Sequence, residues 1–88
     1  MGVEIAVRRG EGSAVATVRV EERGRTTEHE VTVRDEDLAR YCATEVEDLV
    51  RRSFAFLLER EPATAILRRF RISEIERYFP DYRQAIRG

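Results

Sequence analysis

Residues 14–34, AVATVRVEERGRTTEHEVTVR, decide the fold. Apolar and polar side chains alternate on both sides of Arg23-Gly24, and period two in valine- and threonine-rich sequence is the mark of a strand. A two-residue loop at Arg23-Gly24 sets Val20 opposite Thr27, Val18 opposite His29, Ala16 opposite Val31 and Ala14 opposite Val33. The same register places Arg19 against Glu28 on the other face, a favourable cross-strand pair. A slip of one residue would turn every apolar side chain outward, so the turn and the pattern specify the same pairing.

Upstream, Val3, Ile5 and Val7 form the inward face of a further strand. A loop at Gly10-Glu11 predicts Val7 opposite Ala14, Ile5 opposite Ala16 and Val3 opposite Val18. Residues 1–34 therefore read as a three-stranded antiparallel β-meander. Its outward face carries Glu4, Arg8, Arg19, Glu21, Glu28, Glu30 and Arg34 and is solvated. Its apolar face requires a cover, which residues 35–88 provide.

In this second half, Asp35 predicts a short turn of helix holding Leu38 and Tyr41. Thr44 followed by Glu47 reads as a capping box opening a helix to about Glu61. Val46, Leu49, Val50, Ser53, Phe54 and Leu57 keep helical spacing, and Phe56 and Leu58 widen the stripe. Pro62 ends that helix and suits the first turn of another, with Ala63, Ile66, Leu67 and Phe70 as its apolar side. Ser73 with Glu76 predicts a second box and a short helix carrying Ile75, Tyr78 and Phe79. Pro80 stops it, so no continuous helix runs through Tyr82. The expectation is one α+β domain over residues 1–88, a three-stranded antiparallel meander followed by three to four helices packed on one face.

Composition narrows the setting. The chain has 88 residues, 42% apolar and 38% charged, as expected of a folded and highly charged domain. No stretch approaches the ~18–20 apolar residues of a membrane span, and the N-terminus lacks the apolar core of a signal peptide. Cys42 is the single cysteine, which excludes an internal disulfide framework and fits a reducing compartment, the cytoplasm. All 16 basic residues are arginine, and asparagine is also missing. The missing types share A-rich codons, which points to a GC-rich genome in which arginine fills ordinary lysine positions.

Residues that could carry chemistry are few. His29 is the only histidine, on the inward face beside Val18, with Thr27 and Val31 as its neighbours along the strand. Catalysis would need a nucleophile and an orienting group converging on it, so a structural role is expected. Cys42 lies at a junction of helical segments without a second cysteine or nearby histidine and reads as a small packed thiol. The acidic groups Asp35-Glu36-Asp37 and Glu45, Glu47, Asp48 fit helix starts, where negative charge meets the positive end of the dipole, better than any metal-ligand spacing. No glycine-rich phosphate loop is present. The reading assigns no catalytic, cofactor or metal residue and describes a non-enzymatic protein.

Residues 53–82, SFAFLLEREPATAILRRFRISEIERYFPDY, hold six of the seven aromatic residues. The runs Leu57-Leu58-Glu59-Arg60-Glu61-Pro62, Ile66-Leu67-Arg68-x-Phe70 and Tyr78-Phe79-Pro80-x-Tyr82 resemble the tail of a family of short, uncharacterised bacterial proteins. The likeness spans about a third of the chain. It implies a bacterial protein and a shared tail, but no activity.

Charge adds the remaining hint. Residues 1–61 carry ten arginines and fourteen acids, net −4; residues 62–88 carry six and three, net +3, giving the chain its −1. Arg68, Arg69 and Arg71 flank Phe70 in a mixture that nucleic-acid surfaces use. The would-be recognition helix, however, begins Ser73-Glu74-Ile75-Glu76 and would set glutamates against phosphates. The preferred expectation is a small interaction domain that docks on a protein or self-associates as a homo-oligomer. Its partner surface is drawn from Phe56, Leu58, Arg68, Arg69, Arg71, Tyr78, Phe79 and Tyr82, and a sheet edge offers a second route. The alternative is a nucleic-acid-associated, antitoxin-like regulator using the arginine cluster.

Overall fold

The computed structural model describes residues 2–87. It is an α+β arrangement: one mixed four-stranded sheet with helices packed on its inward face. The strands are β1 (Gly2–Arg9), β2 (Ser13–Glu22), β3 (Arg25–Arg34) and β4 (Arg69–Arg71), in that spatial order. The helices are α1 (Asp35–Arg40), α2 (Val46–Leu58), α3 (Ile75–Tyr78) and α4 (Tyr82–Arg87).

The β2–β3 hairpin has the register read from the sequence, with Val18 facing His29 and Arg19 facing Glu28. Arg23 and Gly24 both take left-handed φ, +52° and +78°, as a twist-matched two-residue turn requires. The first hairpin differs. Val7 faces Ala16, Ile5 faces Val18 and Val3 faces Val20, a shift of two residues from the expectation. The turn sits one residue later than Gly10-Glu11: Gly10 N–H bonds the Ser13 carbonyl at 2.8 Å, closing the loop over Glu11-Gly12, and Gly12 takes φ +71°. A two-residue shift leaves every side chain on its face, so the alternation could not detect it.

On the inward face, Ala14, Ala16, Val18, Val20, Val31 and Val33 are buried. Helix α2 supplies Leu49, Val50, Phe54 and Leu57 to the same core. The expected capping box is not what starts α2. The N-cap residue is Glu45 in extended conformation, without a side-chain cap bond, while Glu47 pairs with Arg51 at 3.1 Å one turn on. Its end comes at Leu58, before Pro62 and short of Glu61.

The helix expected from Pro62 to Phe70 is absent. Ala63–Ala65 makes one 3₁₀ turn, and the chain then extends to add β4 parallel to β3, Phe70 facing Val31. The physical reason is the open edge of β3, where Glu30 N–H donates to the Arg68 carbonyl at 2.7 Å. A helix here would have left those backbone groups unpaired. Phe70 is buried between Arg69 and Arg71, and Ile72, just past the strand, is buried again, a short alternation that suits extended chain. The meander thus gains a fourth strand after its helical crossover.

A 3₁₀ turn at Ile72–Glu74 leads into α3. It is tied by the Arg71 N–H to the Glu74 carboxylate at 2.7 Å, two residues before the expected Ser73 start. Pro80 separates α3 from α4, as expected, and α4 itself was not anticipated as a separate helix. Asp37, wholly buried at the start of α1, accepts from Arg34 N–H at 2.9 Å and from the Arg71 guanidinium at 3.0 and 3.2 Å. That hydrogen-bonded carboxylate raises the Arg71 pKa further above its ordinary value, and the pairing clips β4 to the end of β3.

Candidate functional site

The residues expected to form a partner surface divide into three groups. Phe56 and Tyr82 belong to the core. Tyr82 has no exposure, its ring meets Phe56 and Tyr41 edge-on at 5.4 and 5.1 Å, and its hydroxyl donates to Ser53 Oγ at 2.5 Å. Ser53 in turn donates to the Leu49 carbonyl at 2.7 Å, so a buried polar chain fastens α4 to α2. Burial pushes the Tyr82 and Tyr41 phenols far above the ordinary tyrosine pKa; for Tyr41 the nearby Glu76 carboxylate adds to the effect. Leu58 is half-buried against the core. None of these three is a display residue.

The arginines form the second group, and most of their charge is met within the chain. Arg71 holds Asp37 and also reaches Glu36 at 3.2 Å, while Arg69 pairs across the sheet with Glu30 at 3.4 Å. Arg68 is exposed beside a polar hollow of about 260 Å³ that Thr27 and His29 also line. His29 is buried there. Its Nδ1 lies 2.8 Å from the Leu67 carbonyl, a bond only an Nδ1–H can make, and its Nε2 lies 2.9 Å from the Thr27 hydroxyl. Both nitrogens are satisfied, and the ring packs on Phe54 at 5.4 Å, so His29 pins the 66–68 segment to β3.

Tyr78 and Phe79 form the third group, on an open apolar groove of about 280 Å³ between the end of α2, the turn before β4 and α3. Leu57, Ile66, Phe70 and Ile75 line it from the core. Leu67 and Tyr78, which also line it, are the large apolar side chains left exposed among the described residues, at 48% and 65%. Glu61 and Glu74 give it an acidic character. Helical spacing predicts Leu67 on a buried stripe; the extended backbone turns it outward.

Cys42 is exposed, in a left-handed conformation at the end of α1, with Arg87 Nε 3.2 Å from its sulfur. Among the described residues no cluster of three or more His, Cys, Asp or Glu is placed to hold a metal ion, and no helix is long and apolar enough to cross a membrane. No protein-family model, curated protein or solved structure matches the chain.

Proposed function

We infer that this chain is a small, non-enzymatic protein-interaction domain that docks on a partner through the groove beside β4. One observation carries the reading: the exposed large apolar residues Leu67 and Tyr78 both line one concave surface. Two large apolar side chains exposed side by side on one concave surface support an interaction site. The occupant that fits is a partner segment with one large apolar anchor flanked by lysine or arginine, because Glu61 and Glu74 line the same surface. Leu57, Glu61, Ile66, Leu67, Phe70, Tyr78 and Phe79, seven residues of the runs that resemble the bacterial tail family, are groove residues.

The arginine cluster gives less support to nucleic-acid binding, since Arg69 and Arg71 already meet Glu30, Glu36 and Asp37. With one cysteine, exposed and unpaired, the reading places the protein in the reducing cytoplasm.

The test is selection of binding peptides from a random display library, followed by titration of the winners against the purified protein. Selected peptides should share an apolar residue next to a basic one, and Tyr78→Ala should weaken them about tenfold, roughly 1.4 kcal/mol. Peptides without that pattern, or binding indifferent to Tyr78→Ala, would remove the groove as the site.

A further inference from the structure

The two edges of the sheet are unlike. β4 is three residues long and closes one side, whereas β1 is eight residues long and has β2 on one side only. Its pairing with β2 runs without a bulge from Gly2 to Arg9. The phase of its free groups follows from the turn. Gly10 N–H bonds Ser13 C=O, so counting back by twos, Arg8, Ala6 and Glu4 bond to β2. Val3, Ile5, Val7 and Arg9 then aim their N–H and C=O groups at the open edge. Arg51 Nη1 reaches the Val3 carbonyl at 3.4 Å, in keeping with this phase.

An edge strand is usually blunted by proline, a bulge, short length or an inward charge; this one has no proline or bulge, spans eight residues, and carries a charge in the inward phase only at its last residue, Arg9. Its side chains are also self-complementary. Laid antiparallel on a second copy with Ala6 at the twofold axis, Ile5 meets Val7 on the inward face. On the solvent face Glu4 meets Arg8, and the symmetry makes both contacts twice. Glu4 and Arg8 then form the closely spaced, non-hydrogen-bonded type of pair, with Cα atoms about 4.5 Å apart, where opposite charges attract best. With Ile5 on the axis instead, Glu4 would face Ala6 and Arg8 would face Gly2, and both ion pairs would be lost. Ile5 and Val7, half-buried in the single chain, would complete their burial at such a seam, while Val3 would lie opposite Arg9 of the second copy.

We propose that the protein is a homodimer built by antiparallel β1–β1 pairing centred on Ala6, its two four-stranded sheets joined into one. This does not rest on the groove, which lies at the β4 end of the sheet.

Light scattering on a sizing column, across a concentration series, should give the mass of two chains. Glu4→Arg sets arginine against arginine and should weaken the dimer at least tenfold, and Glu4→Arg with Arg8→Glu should restore it. In a Cys42→Ser background, Ala6→Cys places two thiols about 4.5 Å apart at Cα, within disulfide range, and should oxidise to a covalent dimer. Thr17→Cys, exposed on β2, should not. A wild-type monomer at all concentrations, or a dimer that ignores Glu4→Arg and leaves Ala6→Cys uncrosslinked, overturns the proposal. Tyr78→Ala should leave the dimer mass unchanged, so failure at the groove and failure at the edge are separate results.

Discussion

The buried Tyr82–Ser53–Leu49 chain makes an unequal demand on its two hydroxyls, and the inequality is measurable. Ser53 Oγ donates to the Leu49 carbonyl at 2.7 Å and accepts from Tyr82 at 2.5 Å, and both residues are wholly buried. Tyr82→Phe removes one hydrogen bond but leaves Ser53 its own acceptor, at a cost of about 0.5–1.5 kcal/mol. Ser53→Ala strands the buried Tyr82 hydroxyl without an acceptor and should cost more, about 1–3 kcal/mol. Removing both hydroxyls leaves no orphan donor, so the double variant should be more stable than Ser53→Ala alone. For a domain of this size each kcal/mol corresponds to about 4–8 °C in Tm, so the ordering can be read from thermal melts by circular dichroism, with urea titrations for the energies. Strictly additive losses, or a Ser53→Ala protein as stable as the parent, would show that α4 does not dock through this contact.

Other consequences are simpler to state. Val18→Asp should unfold the domain by burying an unpaired charge at several kcal/mol, while Arg19→Ala on the solvated face should barely move Tm; equal effects would refute the sheet's inward and outward assignment. Tyr41 and Tyr82 have folded pKa values raised above the unfolded value of about 10, so the stability they lend is complete below that pH and is lost as pH rises further. In a Tyr78→Phe background, which leaves only these two phenols, the phenolate absorbance should therefore appear together with loss of the circular dichroism signal, and ionisation in a still-folded protein would contradict the burial. Truncation after Ser73 removes α3 and α4 and uncovers Phe56 and Tyr41, so the product should aggregate or bind ANS as a molten species; a cooperative melt with unchanged assembly would show the tail to be dispensable.

The central hairpin was legible because two independent signals, the Arg23-Gly24 turn and the alternation, agree on one register. The first hairpin was readable only to within two residues. Its pattern is blind to even shifts, and Gly10-Glu11-Gly12 permits more than one turn. Residues 63–70 were misread for a different reason. Ile66, Leu67 and Phe70 fit helical spacing, whereas Phe70 between Arg69 and Arg71, with Ile72 beyond, fits a strand. The decision is made by Glu30, some forty positions upstream, whose N–H bonds the Arg68 carbonyl. No local pattern contains that partner. The same event hid the groove, because Leu67 is inward on a helix and outward on an extended chain. His29 was placed correctly on the inward face, but its bond to the Leu67 carbonyl depends on the same docking.

The groove and the open edge lie at opposite ends of the sheet, and this has a consequence for affinity. In a dimer paired through β1, the two β4 strands are seven strand spacings apart, about 34 Å at ~4.8 Å each. One protein would then present two identical apolar grooves at the far margins of a continuous sheet. A partner carrying a single basic-flanked anchor should bind either groove with its intrinsic affinity. A partner with two such segments on a linker able to span the distance should gain from effective concentration, by about 10²–10⁴ overall. The comparison to make is a single-anchor peptide against a tandem peptide, on the wild-type protein and on Glu4→Arg. The tandem advantage should be present in the first and vanish in the second, while single-anchor binding stays equal in both. An advantage that persists in a protein shown to be monomeric would mean that the tandem peptide engages some second surface of one chain. The groove at β4 would then be only part of the docking site.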